Sequence, residues 1–256
     1  MVPSITFAFM AASVVLSVGA PIALFFIVRK KYGKGVLPVL LGAAGFILFA
    51  MVLEQILHFA VLEASPQLIE RPFWYIFYGS MAAGVFEESA RFASFHILKK
   101  RRTGFGTALQ YGIGHGGAEA IILGGISMIS IVVLIAMANN FGAQAPEVLG
   151  AAAMQQVQAV AEAPPAVMLV SGIERLLAIG VHVSLSVAVY YAVYQPRKVW
   201  LYPLAVVLHA LVNVPAGLYQ VGVLTNLWLV EGTVAFAMAA LIAFAALLHR
   251  RLKTEA

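Results

Sequence analysis

The chain has 256 residues, of which 62% are hydrophobic and only 11% charged. That composition is far from a soluble globular domain and too apolar to be hidden inside one water-soluble core. The formal net charge of +5 comes from short basic clusters between apolar runs, which set membrane topology rather than mark a nucleic-acid partner. The absence of cysteine excludes disulfides and thiolate catalysis.

An apolar run of about 20 residues crosses the hydrocarbon core as a helix. The sequence predicts about seven such spans: Ile5–Val28, Val36–Ala60, Phe73–Leu98, Gly106–Ala138, Ala166–Tyr194, Val199–Tyr219 and Val223–Leu248. The first lacks a preceding basic region and is too long for a signal peptide, so a retained helix is expected. The fourth is long enough to tilt or to end outside the core. Arg29-Lys30-Lys31 with Lys34, Lys99-Lys100-Arg101-Arg102, Arg197-Lys198, and Arg250-Arg251 with Lys253 fall in every second connection and at the C-terminal end. The opposite side carries only Arg71, against Glu63, Glu70, Glu147 and Glu162. The positive-inside rule then places the N-terminus outside and the C-terminus in the cytoplasm, which requires an odd number of spans. For the long connection Asn139–Pro165, a plain Ala-rich linker is the simpler expectation. The alternative is an interfacial helix or lid from Pro146 to Pro164-Pro165, with Met154, Val157 and Val160 on one face. No repeat is evident. The expected class is all-α, a polytopic transmembrane helical bundle forming a single domain over 1–256, with a motif-bearing core at about 73–213.

Ionisable side chains at a helix centre cost roughly 2.5–3.5 kcal/mol on insertion scales, so each calls for a reason. The third span carries Glu87-Glu88-Ser89-Ala90-Arg91; the fourth carries His115 and Glu119 within a glycine run. The fifth carries Glu174-Arg175 and His182, and the sixth His209 and Asn213. Counted from each basic end, Glu87, Glu88, His115, His182 and His209 all lie roughly 14–18 Å deep, at one level of a core about 30 Å thick. Antiparallel helices would rarely reach one level by chance, which points to one site. Spacing adds to this: His115 and Glu119 (i,i+4) share a helix face and could share a metal, and His209 and Asn213 have the same spacing. Of the adjacent carboxylates Glu87 and Glu88, one is expected to pair with Arg91 and leave the other free for chemistry. Arg175 and His182, seven apart, share a face that favours a neutral imidazole. Glu54 and His58 fit a helix–helix hydrogen bond, and Glu174-Arg175 fits equally a structural ion pair or a partner for the paired glutamates. Gly112 and Gly116 form a small-xxx-small pair suited to close packing.

Carboxylates, imidazoles and a carboxamide around one buried pocket suit amide hydrolysis. Three histidines, or two with Glu119, could hold Zn²⁺ with an open position for water. A glutamate would take the proton, and Asn213 would donate to the oxyanion. The chain has no aspartate, which removes aspartyl intramembrane proteolysis.

The motifs Glu87-Glu88-Ser89-Ala90-Arg91, Gly112-Ile113-Gly114-His115-Gly116-Gly117-Ala118-Glu119-Ala120, Glu174-Arg175 with His182, and His209-Ala210-Leu211-Val212-Asn213 resemble the YhfC family of intramembrane metalloproteases. That family is grouped with the CAAX prenyl proteases, PrsW and the multi-pass scaffold subunit of γ-secretase. The resemblance implies a general base within the pair Glu87-Glu88, a second motif at His115, and a last motif at His209 and Asn213. Only two residues separate the pair from Arg91, where the CAAX type usually has three. The resulting expectation is an intramembrane peptidase of a prokaryotic plasma membrane, acting on a membrane-embedded peptide or protein substrate. Its site would open toward the cytoplasmic half of the bilayer. Glu88 is the expected base and Glu87 the partner of Arg91, with the exchange of the two as the alternative; His115, His182 and His209 are the expected zinc ligands, and Glu119 a fourth ligand or its support. The competing expectations are a non-catalytic scaffold or chaperone of the same fold, and a proton- or ion-coupled transporter.

Overall fold

The computed structural model describes residues 2–33, 35–101 and 103–253; Lys34 and Arg102 of the basic clusters lie outside them. The described residues form helices and no strand. Helix α1 (Ser4–Tyr32) runs to its basic last turn and stops at Gly33, whose positive φ of 101° and N–H bond to the Arg29 carbonyl close it. Helix α2 (Leu37–Ala64) contains a π-helical stretch, Phe46–Glu54. Helix α3 (Pro72–Lys99) begins on a proline, whose missing N–H is harmless in a first turn. Helix α4 (Phe105–Leu149) has its own π-helical stretch, Ala120–Ile126, and bends at Gly142. Helix α5 (Ala151–Glu162) is short; α6 (Ala166–Tyr194), α7 (Leu201–Gln220) and α8 (Leu227–Lys253) complete the bundle.

Six helices, α1, α2, α4, α6, α7 and α8, are long and apolar enough to cross a membrane. The third expected span, α3, has the length (28 residues) but not the apolarity, because it carries Glu87, Glu88 and Arg91. It packs against α2, α6 and α7, which surround its polar residues with protein. Helix α6 is the axis of the bundle: 72% of its apolar window is buried, against 17% for α1 and for α8.

The Asn139–Pro165 connection is helical, not a plain linker. Gly150 (φ 82°) breaks it, and α5 lays Val160 against Met10, Met128, Ile135 and Met168, with Val157 beside them. A second apolar cluster fills the basic end of the bundle and includes Phe95, Leu98, Tyr111, Leu185, Leu201 and Leu241. The polar residues lie between the two.

Helix α4 is wedged between α2 and α6 because its glycines remove side chains at the contacts. A Cβ on Gly114 would stand 2.1 Å from the Val39 carbonyl oxygen, and one on Gly112 would stand 2.6 Å from the Val183 Cα. His115 and Glu119 are thereby held close to α6 and His182.

Candidate active site

Four helices bring the polar side chains together, α3, α4, α6 and α7. Arg91 has no exposed surface and is the largest fully buried side chain. Its guanidinium donates to Glu88 and to His182 Nδ1, and its Nε donates to Ser186 Oγ at 3.3 Å. Arg91 therefore pairs with Glu88 at i,i+3, the exchanged assignment of the two glutamates rather than the favoured pairing with Glu87. Glu88 also accepts from His209 Nδ1 at 2.7 Å. With both partners in place its side chain has no exposure, whereas Glu87 keeps 10%. The two neighbours point about 100° apart around the helix, and it is Glu87 that faces open space.

Glu87 is ringed by three imidazoles. His115 Nε2 donates to its Oε2 at 2.8 Å, His182 Nδ1 stands 3.8 Å from Oε2, and His209 Nε2 stands 3.7 Å from Oε1. One donor atom each from Glu87, His182 and His209 lie within 4.8 Å of one another. The donors of a tetrahedral zinc, with bonds of roughly 2.0–2.1 Å, are about 3.3 Å apart. The spacing is wider than a bound zinc ion would leave, and the donors would draw in by up to about 1.5 Å to share one. His209 is already oriented for ligation: Nδ1–H is committed to Glu88, which leaves Nε2 as the free lone pair facing Glu87. His182 is not, because its Nδ1 accepts from Arg91 while Nε2 donates to Glu119. A metal at this point requires Arg91 to release that nitrogen and the three donors to draw together, a set whose chemistry, one carboxylate and two imidazoles, suits the ion.

The expected ligand set of His115, Glu119, His182 and His209 is therefore only partly brought together. His115 lies behind Glu87, bonded to it and with a buried, unpartnered Nδ1. Glu119 is held by His182 and by Arg175, whose Nη1 donates at 2.6 Å. Arg175 also binds Glu174, so Glu174-Arg175 is an ion pair that anchors Glu119 rather than a partner of the paired glutamates.

A cavity of about 140 Å³ is floored by Glu87, Glu119, His182 and His209 and bordered by Asn213, one turn beyond His209. It extends along α6 toward Glu174 and along α7 toward Ala216. A larger cavity of about 470 Å³ begins at Asn213 and continues past Tyr75 and Gln220. Both run toward the helix ends remote from Lys99 and Arg197. On the basic side, Phe95, Leu98, Tyr111 and Leu201 pack without exposure. The expectation of an opening on the side of the basic clusters is corrected accordingly: the space lies toward the opposite helix ends.

For Glu54 and His58 the sequence favours a helix–helix hydrogen bond over membership of the site. The structure gives His58 that role, with Nδ1 2.8 Å from the Tyr78 hydroxyl, while buried Glu54 lines a further cavity together with Glu87 and Glu119. Phe46, Ala50 and Glu54, four residues apart, share the buried face of the π-helical stretch.

Comparison with known proteins is consistent with this arrangement. Residues 14–234 match the family described as YhfC intramembrane metalloprotease. The chain belongs to the YhfC family. It is 36% identical over 238 residues to the uncharacterized membrane protein YhfC of Bacillus subtilis (strain 168), across 90% of this chain and 92% of that protein. No solved structure matches. The family match contains every polar residue of the cluster, from Glu54 to Asn213.

Proposed function

We propose that this YhfC-family chain is an intramembrane metallopeptidase whose centre is formed by Glu87, His182 and His209. The observation that carries the reading is the mutual approach of those three donors within 4.8 Å, buried beneath a small polar cavity. One carboxylate and two imidazoles leave an open position and suit zinc. When bound, such an ion supplies a Lewis acid and lowers the pKa of water to about 7. The chain's residues do the rest. Glu88 fixes the His209 ring, and Arg91 holds Glu88 in place. Glu119, the other carboxylate on the cavity floor, takes the proton from the attacking water and returns it to the leaving amine. The Asn213 carboxamide donates to the carbonyl oxygen as it gains charge. Helix packing keeps bulk water out, so these dipoles act in a low dielectric. The basic clusters orient the chain with its N-terminus outside and its C-terminus in the cytoplasm of a prokaryotic plasma membrane, so the cavities face the outer half of the bilayer.

The contact between Arg91 and His182 Nδ1 favours a second reading, glutamate-type hydrolysis, in which Glu87 itself takes the proton from water and needs no metal. Both readings make Glu87 indispensable and Glu88 supporting. The test is to compare new protein N-termini, by terminal-peptide mass spectrometry, in membranes of cells expressing wild type, Glu87→Gln or Glu88→Gln. New termini inside apolar segments are expected with wild type and absent with Glu87→Gln. If the Glu87→Gln membranes show the same termini as wild type, the reading fails.

A further inference from the structure

A fourth cavity, about 520 Å³, lies between α1, α2 and α4, and every side chain that lines it is apolar. Helix α1 contributes Pro21 and Phe25, α2 contributes Val39 and Ala43, and α4 contributes Gly114 and Gly117. The helices touch at its floor, where a Cβ on Gly117 would stand 2.8 Å from the Pro21 Cβ. On the lipid side it is open, and the lining residues Ile22 and Phe26 are 47% and 60% exposed there. Pro21 lies eleven residues before the α1 end at Tyr32, about 16 Å at 1.5 Å per residue. That is one leaflet's depth in a hydrocarbon core about 30 Å thick. Spread over this depth, the groove is roughly 30 Å² in section. A helix with its side chains is about 10–12 Å across, roughly 80–110 Å² in section. The groove therefore admits a single hydrocarbon chain and not a transmembrane helix.

Charge gathers at the mouth of this groove. Phe25 leads to Arg29 one turn on, whose guanidinium stands 5.6 Å from the ring centroid, and the exposed Lys30 and Lys31 follow. No acidic residue occurs before Glu54, at the far end of the groove-lining half of α2, and none occurs on α4 before Glu119. Basic clusters by themselves mark topology; the groove sets this one apart. Beside Lys99 and Arg197 the helices instead pack Phe95, Leu98 and Leu201 without exposure. We propose that the groove is a binding site for an anionic phospholipid, with one acyl chain along Gly114 and Gly117 and the phosphate at Arg29, Lys30 and Lys31. The pairing of chain and charge selects that occupant. A zwitterionic lipid fits the groove but brings no net charge to the cluster, and a soluble anion satisfies the cluster but leaves the apolar lining uncovered. The bound chain completes the packing of α4, another face of which carries His115.

The site is independent of hydrolysis and is tested without it. The detergent-purified full chain is titrated with dioleoyl phosphatidylglycerol or dioleoyl phosphatidylcholine, and the lipid retained per chain is read by native mass spectrometry. The first phosphatidylglycerol should bind wild type about tenfold more tightly than phosphatidylcholine, the ratio that ~1.4 kcal/mol gives. Arg29→Gln should weaken phosphatidylglycerol about fivefold, the ratio for ~1 kcal/mol per basic residue, and leave phosphatidylcholine unchanged. Ala43→Phe, which fills the groove, should weaken both lipids, and Arg71→Gln, at the opposite helix ends, should change neither. Glycerophosphoglycerol, the headgroup without its chains, should not compete. A further measurement needs no substitution: phosphatidylglycerol with a mid-chain diazirine should label wild-type peptides containing residues 21–26 and 113–122 above all others. Equal retention of the two lipids, phosphatidylglycerol binding that survives both Arg29→Gln and Ala43→Phe, full competition by the headgroup alone, or label spread evenly over the helices would each overturn the proposal.

Discussion

Arg91→Met tests whether the buried network is built as described. Arg91 has no exposed surface and, among the described residues, is the one cation bonded to Glu88, which otherwise has only His209 Nδ1 for its Oε1 and no partner for Oε2. Methionine fills much of the volume but leaves the Glu88 carboxylate without its counter-charge. Breaking a buried ion pair from one side costs about 3–5 kcal/mol, a large share of a total stability of roughly 5–15 kcal/mol. Replacing both partners is different. Glu88→Leu with Arg91→Met removes the stranded charge, which Arg91→Met alone leaves in addition to the orphaned His182 nitrogen. What remains, with Glu88→Leu and Arg91→Met as the single variants, is the orphaned His209 and His182 groups, about 1–3 kcal/mol each. Equilibrium unfolding in mixed micelles with rising SDS, on wild type, both single variants and the double variant, measures the cycle. The double variant should be more stable than Arg91→Met. If Arg91→Met costs less than about 1 kcal/mol, the range of exposed pairs, or the double variant is the least stable of the four, the assignment of Arg91 to Glu88 is wrong.

Three further outcomes are expected. Glu88→Gln should keep the fold and weaken zinc affinity about 10–100-fold, the usual effect of removing a carboxylate that orients a ligand histidine; competition with a zinc chelator measures it. Gly114→Ala should be destabilising, because its new Cβ would meet the Val39 carbonyl at 2.1 Å and overpacking of this kind costs typically about 1–3 kcal/mol; thermal unfolding in detergent reads the loss. Since the chain has no cysteine, single cysteines report topology cleanly. Cysteine at Gln67 or Val223 should react with an impermeant maleimide in intact cells, whereas cysteine at Lys198 should react only after permeabilisation.

Much of this was legible before any coordinates. The apolar runs located the helices, and the shared depth of Glu87, Glu88, His115, His182 and His209 foretold one cluster. What one dimension could not carry was rotation. Glu87 and Glu88 are adjacent, and both stand at a spacing from Arg91 that permits a bond, so only the phase of α3 against α7 decides that Glu88 is buried on His209 and Glu87 faces the cavity. Glu54 was harder to place, because it counts closer to the outer end of its span than the other polar residues, and only the packing of α2 against α3 and α4 brings it beside Glu87. The α5 segment was underestimated because alanine and glutamine carry little periodic signal, and its docking depends on Val160 meeting Met10 and Ile135 from distant parts of the chain. Seven expected spans became six apolar ones plus α3 because a helix surrounded by protein tolerates charges that a lipid-facing helix does not.

The central claim is a metal centre built on Glu87, His182 and His209, and its most direct test is metal content. Detergent-purified protein, resupplied with zinc and desalted, is analysed by elemental mass spectrometry for wild type, Glu87→Gln, His182→Ala, His209→Ala and a His58→Ala control. Wild type and His58→Ala should retain one zinc per chain, and the three cluster variants, shown to be folded, should lose it. Wild type that is folded yet free of metal, or zinc retained by folded His182→Ala and His209→Ala, would contradict the account.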